Sequence, residues 1–403
     1  MNSRSEQTLA GKRPYDSRTF DPRVWILALG TFAIGTDAYV ISGILPGVAR
    51  DLHIAVNTAG QIVTWYSLTY AIAAPVLAAL VGRANRTYVI IAALVLFSAA
   101  NIVCAVTMSF AILIAARVVA GIAGALYTPT AFTLAAALAA PEKKSKALAA
   151  VLLGLTFATA LGVPIGTLLG QHFGWHGAFW LVVALSVSAA VVIGASRMSP
   201  GDASYSTSPG LVARFEPLVH GSTLLALMPV CIFSAGYFCF YTYLGAILGA
   251  HGFPASQIAV IFLASGVGAV IGSFTGGHLG ARFRPIAVLV ITFAATSINA
   301  ALFGYPEVSF WSVTLSVLFL SGSGWLFLPP QQARLLLIVE ARHAQVVLAL
   351  NNSFLYIGVA AGTSVGAGII HSGFNLDDLH WVTSGFMCAA LLILVLSYLR
   401  SGK

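Results

Sequence analysis

Two ionisable residues sit where water should be scarce. Asp37 lies near the middle of the apolar stretch Val24 to Val48, VWILALGTFAIGTDAYVISGILPGV. Arg117 lies in another apolar stretch, and Gly121, Gly124 and Thr128 follow it at helical spacing on the same face. A carboxylate at bilayer depth costs roughly 2.5–3.5 kcal/mol on insertion scales. Such a residue is tolerated when it faces a water-filled cavity, holds a proton or meets a partner. About 13 residues separate Asp37 from the start of its stretch, too many for snorkelling. The pair is therefore expected to bind and release a proton, with Arg117 as the partner charge. The small residues after Arg117 would admit a neighbouring helix, or leave room for water and solute.

A second set of residues has the chemistry of a solute cavity. Phe233, Tyr237, Phe240, Tyr241 and Leu244 form a stripe at helical spacing. Tyr66, Tyr70, Tyr127, Trp325 and Tyr356 add amphipathic rings in other stretches, and Thr128, Phe157, Asn351 and Asn352 complete the candidate lining. Cavities for apolar or amphipathic solutes need such rings and few oriented polar groups. A third set offers bending. Gly162, Pro164 and Gly166 lie in one stretch, and Gly358, Gly362 and Gly366 repeat the four-residue glycine spacing in another. Glycines at that spacing permit close helix packing, and proline removes a backbone hydrogen bond.

The elements that must position these residues are membrane-spanning helices. The 403-residue chain is 59% hydrophobic and 8% charged, against about 25% charged in soluble domains. Twelve apolar segments are read, near 24–47, 58–81, 87–108, 110–138, 147–170, 176–196, 221–248, 256–279, 285–304, 309–333, 345–370 and 380–399. They are too long and unalternating for barrel strands, so an all-α membrane protein is expected. The predicted organisation is a tail over 1–23, a six-helix bundle over 24–196, a polar linker over 197–220, a second six-helix bundle over 221–399, and a tail over 400–403. With the N-terminus inside, 18 of the 20 Lys and Arg fall on the cytoplasmic side, Arg83, Arg86, Arg334 and Arg342 among them. That asymmetry accounts for the net charge of +8, and nucleic acid is not an expected partner. Trp175 and Trp381 read as interface anchors. The four cysteines read as small core residues without metal-ligand spacing, and no cofactor or metal is expected. The N-terminal tail lacks the apolar core of a cleaved signal peptide.

The two bundles read as a repeat. Gly82-Arg83-Ala84-Asn85-Arg86 is answered 198 residues on by Gly280-Ala281-Arg282-Phe283-Arg284, and the glycine ladder of the fifth segment by that of the eleventh. Parallel six-helix repeats are a transporter architecture with the solute site between halves.

Four stretches resemble the major facilitator superfamily, and within it the twelve-helix drug:proton antiporters of the bacterial sugar and drug exporter-like branch. They are Gly35 to Pro46 (GTDAYVISGILP), Gly82 to Arg86 (GRANR), Arg117 to Gly121 (RVVAG) and Gly154 to Gly170 (GLTFATALGVPIGTLLG). The resemblance covers about residues 24–400. It implies the major facilitator fold of two pseudo-symmetric halves, proton coupling at Asp37 and Arg117, gating at Arg83 and Arg86, and a hinge at Gly162, Pro164, Gly166, Gly358 and Gly362. The family's acidic residue before the first Arg of the GRANR loop is replaced here by Gly82. The implied function is proton-coupled export of small organic molecules such as drugs, sugars or metabolites by alternating access. An importer on the same fold is the alternative, and an intramembrane enzyme lacks its motifs. The expected partners are the small-molecule substrate, protons and membrane lipid, for a monomer in the bacterial inner membrane with both termini cytoplasmic.

Overall fold

The structure is a computed structural model. It describes residues 21, 23–81, 84–196, 198, 216, 221–303, 309–340 and 343–401. The linker over 197–220 lies almost wholly outside the described residues, as do most of the N-terminal tail, Gly82, Arg83 and Arg342.

Within the described residues the chain is helical because lipid offers no partner to backbone N–H and C=O groups, and a helix satisfies them within the segment. Eleven helices are long and apolar enough to cross a membrane. They are α1 (Val24–Asp51), α2 (Val56–Leu80), α3 (Arg86–Val106), α4 (Phe110–Ala137), α5 (Lys144–His172), α6 (His176–Ala195), α7 (Gly221–Ala250), α8 (Ala255–Arg282), α10 (Phe310–Ile338), α11 (Val346–His371) and α12 (Leu376–Arg400). Between α8 and α10 runs a shorter apolar helix, α9 (Pro285–Ala301). At 1.5 Å per residue α9 is about 26 Å long, whereas the 28 residues of α1 reach about 42 Å.

Three helices are interrupted, two of them beside prolines that remove a backbone hydrogen bond. In α5 a π-helical turn, Ala158–Gly162, precedes Pro164, and the Val163 N–H reaches back to the Ala158 carbonyl. In α10 the break falls at Phe327, just before Pro329 and Pro330. In α7 it falls at Thr242 and Tyr243, between segments ending at Tyr241 and beginning at Leu244.

Lipid removes the hydrophobic drive between helices, so packing rests on close backbone approach. α8 and α10 show this best. A Cβ at Gly272 would land on the Gly322 carbonyl, and one at Gly276 on the Leu326 carbonyl. The first six helices pack through α1 on α5 and α6, α2 on α4, and α3 on α4 and α6. The last six pack through α7 on α11 and α12, α9 on α12, and α8 on α10. The two groups meet where α2 touches α11, α5 touches α8, and the end of α7 touches α1.

The hydrogen bonds and glycine contacts between the groups gather toward the end of the bundle that carries Asp51, Gly252 and Gly373. Thr64 and Ser364 hydroxyls lie 3.3 Å apart. The Gln171 amide donates to the Ala255 carbonyl at 3.1 Å. A Cβ at Gly245 would collide with the Ser42 carbonyl, and one at Gly266 with the Ala160 backbone. One apolar core joins both groups near this end, through Ile41, Leu45, Tyr243 and Leu244. At the opposite end the cores are separate, one around Phe97 and Tyr127 and one around Leu227 and Leu350. The molecule is thus shut at the Asp51 end.

Three readings of the sequence are corrected here. Trp175 is 1% exposed and stacks on His176, because it packs between α1 and α6 instead of reaching an interface. Arg334 does not lie in a loop; it sits within α10, 1% exposed, and its Nη2 donates to the Ser397 hydroxyl at 2.6 Å. Of the cysteines only Cys104 and Cys239 are buried, Cys388 being on an exposed face beside Ser297.

Candidate functional site

The site starts from one contact. Arg117 Nη1 donates to Asp37 Oδ1 at 2.6 Å, and both side chains are 0% exposed. α1 brings Asp37 and α4 brings Arg117, and α2 closes over them. Tyr66 lays its ring 4.4 Å from the Arg117 guanidinium carbon, a cation–π contact that partly replaces water. The small residues after Arg117 explain how Tyr66 gets there. A Cβ at Gly121 would meet the Tyr66 carbonyl at 2.7 Å, and one at Gly124 the Tyr66 hydroxyl at 2.9 Å. The helix those glycines admit is therefore α2. Phe179 of α6 lies 6.0 Å from the same guanidinium carbon. Two neutralising charges in an apolar wall make a site whose charge state changes by one when a proton arrives.

Beside the pair, rings from both helix groups converge. Tyr39, two residues from Asp37, stacks on Phe238 at 6.0 Å and meets Trp325 at 6.1 Å. Tyr70 stacks on Tyr356 at 3.9 Å, and Tyr237 on Tyr241 at 5.1 Å. The Tyr237 hydroxyl lies 3.0 Å from Ser321, which holds its ring in place. A cavity lined by Tyr39, Ser234, Tyr237, Phe238, Trp325 and Leu355 measures about 30 Å³, with Phe233, Gly324, Phe327 and Leu328 completing its wall. That volume holds roughly one water. In this conformation the rings have closed on one another, and a solute needs the groups to part.

The structure gathers some candidates and disperses others. Tyr237 and Trp325 line the cavity, with Tyr241 stacked behind. Tyr66 belongs to the ion pair, and Tyr356 to a stack between the groups. Thr128 is buried on α4. Tyr127 is not a lining residue: its hydroxyl donates to the Leu27 carbonyl at 2.8 Å, because Gly30 makes room for it between α1 and α4. Phe157 is not one either. It is 46% exposed and shares the outer face of α5 with Leu161 and Ile165, since the opposite face is taken up by α1 and α8. Asn351 is buried at the start of α11 with neither amide atom paired, and Asn352 is half-buried beside it. Residues that the sequence reading passed over are Tyr39, Phe238 and Phe327. The proximity of Tyr39 to Asp37 in sequence was the available signal for the first.

The glycine ladders pack on the first helix of their own group. A Cβ at Gly162 would strike Thr36, and at Gly166 Val40 at 2.5 Å. At Gly358 and Gly362 it would strike the carbonyls of Cys231 and Ala235. Pro164 is buried directly after the π-helical turn. Arg83 lies outside the described residues. Arg86 opens α3 half-buried, next to Asn85, whose side chain caps the helix by accepting from the Thr87 N–H at 3.0 Å.

The comparisons agree with this geometry. The chain is 30% identical over 377 residues to the uncharacterized MFS-type transporter YtbD of Bacillus subtilis (strain 168), covering 93% of this chain and 94% of that one. It is 31% identical over 377 residues to a chloramphenicol resistance protein of Streptomyces lividans, covering 92% and 94%. The nucleoside transporter NupG superposes with a TM-score of 0.76 at 12% identity, covering 93% of this chain and 98% of that one. A bacterial homologue of the human lysosomal transporter Spinster does so with 0.69 at 18% identity, covering 97% and 98%. The family model described as Major Facilitator Superfamily matches residues 27–363. An all-helical bundle of apolar spans is thus explained by descent: the chain belongs to the Major Facilitator Superfamily of membrane transporters.

Proposed function

We propose that this transporter exports uncharged, ring-bearing organic molecules in exchange for protons. The observation that carries the reading is the Asp37–Arg117 pair, shut off from solvent beside the aromatic cavity. Asp37 is the one acidic residue away from the ends of a span among the described residues. Desolvation favours the protonated acid and a nearby cation the ionised one. An Asp exposed alternately to the two membrane faces therefore takes and loses a proton within one cycle. The cavity lining carries rings and a serine hydroxyl but no formal charge, which suits a neutral solute. The drug-resistance name of one relative supports the outward direction. Alternating access is assigned to two six-helix halves, over 24–196 and 221–399, joined by the 197–220 linker. The Lys and Arg asymmetry supports cytoplasmic termini, and the Asp51 end then faces outward, in the inner membrane of a bacterium. The protein is read as working as a monomer.

The energetics suffice. One charge moving through 100 mV supplies about 2.3 kcal/mol, and about 1.4 kcal/mol is tenfold in concentration, so one proton sustains roughly a fifty-fold gradient. Everted vesicles energised inside-out test the reading, with chloramphenicol as first probe and a panel of neutral aromatic compounds behind it. Uphill accumulation that collapses with a protonophore is expected. Accumulation only in right-side-out vesicles would mean import, and accumulation indifferent to the protonophore would mean another driving ion.

A further inference from the structure

The ion pair leaves part of the arginine unused. Arg117 spends Nη1 on Asp37, while its Nε and Nη2 donate to nothing. On α3, an acceptor is without a donor. Asn101 is 0% exposed, its Nδ2 donates to the Phe97 carbonyl at 3.0 Å, and its Oδ1 accepts from nothing. Cys104, one turn along the same face, belongs to the same buried core as Ala116, the chain neighbour of Arg117, and Phe179, which faces the guanidinium. α3 and α4 pack directly on each other. A buried donor and a buried acceptor that both lack partners are each unfavourable, and a guanidinium cannot relieve itself by losing its proton.

We propose that Asn101 is the second seat of Arg117: when Asp37 takes a proton, the guanidinium turns its free edge to Asn101 Oδ1, and this acceptor sets how readily Asp37 is protonated. The inference rests on the reading of Asp37 as proton carrier. Asn101 acts through Arg117 and is a positioning residue. The other titratable and charged groups around the pair are Tyr66 of α2 and Cys104 of α3, with Tyr39 and Tyr70 beyond Tyr66. α6 presents Phe179 to Arg117, and α5 meets α1 through uncharged residues, among them Leu155, Ala158, Gly162 and Thr167. A protonated Asp37 no longer neutralises Arg117. With the Asn101 acceptor in place that state is eased; without it the state is less favourable, Asp37 binds its proton less tightly, and its titration moves to lower pH.

The test needs no substrate. Dicyclohexylcarbodiimide reacts with protonated carboxylic acids buried in a membrane, and mass spectrometry of the Asp37 peptide across a pH series gives the midpoint. Asn101→Leu is expected to lower that midpoint by about one pH unit, the scale of one hydrogen bond to a charged group. Asn101→Ser, which keeps an acceptor, should restore most of the shift. An unmoved or raised midpoint in Asn101→Leu overturns the proposal. If that variant fails to insert, the pair Asp37→Asn with Asn101→Asp decides. Labelling of the introduced carboxyl should be weak at neutral pH and rise when Arg117→Ala is added. Labelling indifferent to Arg117 again overturns it. Proton release by Asp37→Asn alone, measured in liposomes, addresses the parent reading separately: wild-type release there removes the proton-carrier role and leaves the labelling result standing.

Discussion

At the scale of single residues, a buried pair is weak evidence for stability, because desolvation of two charges offsets their attraction. Removing one partner is another matter and costs about 3–5 kcal/mol, since the remaining charge is left uncompensated. Arg117→Ala is therefore expected to reduce both coupling and the yield of folded protein, with Arg117→Lys recovering part of each. Asp37→Asn mimics the protonated acid and should abolish proton-driven accumulation while leaving substrate exchange. Substrate-induced proton release in liposomes measures both, and wild-type release from Asp37→Asn would place the carrier elsewhere. Two tyrosines make a contrasting prediction. Tyr237→Ala opens the cavity wall and should change which compounds are carried. Tyr127→Phe loses only the bond to Leu27 and should cost about 1 kcal/mol of stability with the profile intact. Resistance profiles beside thermal melts separate the two. Asp37 and Arg117 were legible in the sequence because ionisable groups stand out in apolar stretches. The positions of Tyr127, Phe157 and Trp175 were not. A span apolar all round does not announce which face meets lipid and which meets another helix.

At the scale of helices, α5 carries the irregularity on which the proposed hinge rests. Its π-helical turn is wedged between α1, through Gly162 against Thr36, and α8, through Ala160 against Gly266. Neither contact leaves room for a side chain. Gly162→Leu and Gly266→Leu are expected to abolish transport with membrane insertion intact, because each pushes on the turn from one side. Normal transport in both would make the turn a packing detail. The proline and the glycine spacing announced a bend here. The π-helical geometry was not foreseeable, since α1 and α8 grip different residues of the one turn and only the fold brings them there. The α8–α10 contact escaped notice as well, because its glycines oppose backbone carbonyls whose register only the fold defines.

At the scale of the whole molecule, eleven of the twelve expected crossings were legible from segment length, because a bilayer fixes how much chain a crossing takes; the twelfth, α9, is apolar but shorter. The state of the molecule was not, since alternating access keeps the same helices and changes only which ends meet. Two measurements address it. A phosphatase fused after Lys403 should be inactive and a fluorescent protein there bright if the termini are cytoplasmic. After the four native cysteines are replaced, Thr64→Cys with Ser364→Cys should cross-link with a short bifunctional reagent and halt transport until reduced. The closure itself has one more property. The contacts described across it are hydroxyls, an amide, carbonyls and glycines, whereas ionisable side chains of that end meet within their own group, Arg50 with Asp51 at 3.0 Å and His251 with Asp377 at 2.8 Å. Exposed ion pairs weaken as dissolved ions screen them over about 8 Å at physiological ionic strength, while neutral contacts of this kind do not. The latch should therefore hold equally well in dilute and in briny surroundings, and in the proposed orientation the balance between open and shut would ignore the saltiness of the world outside the cell.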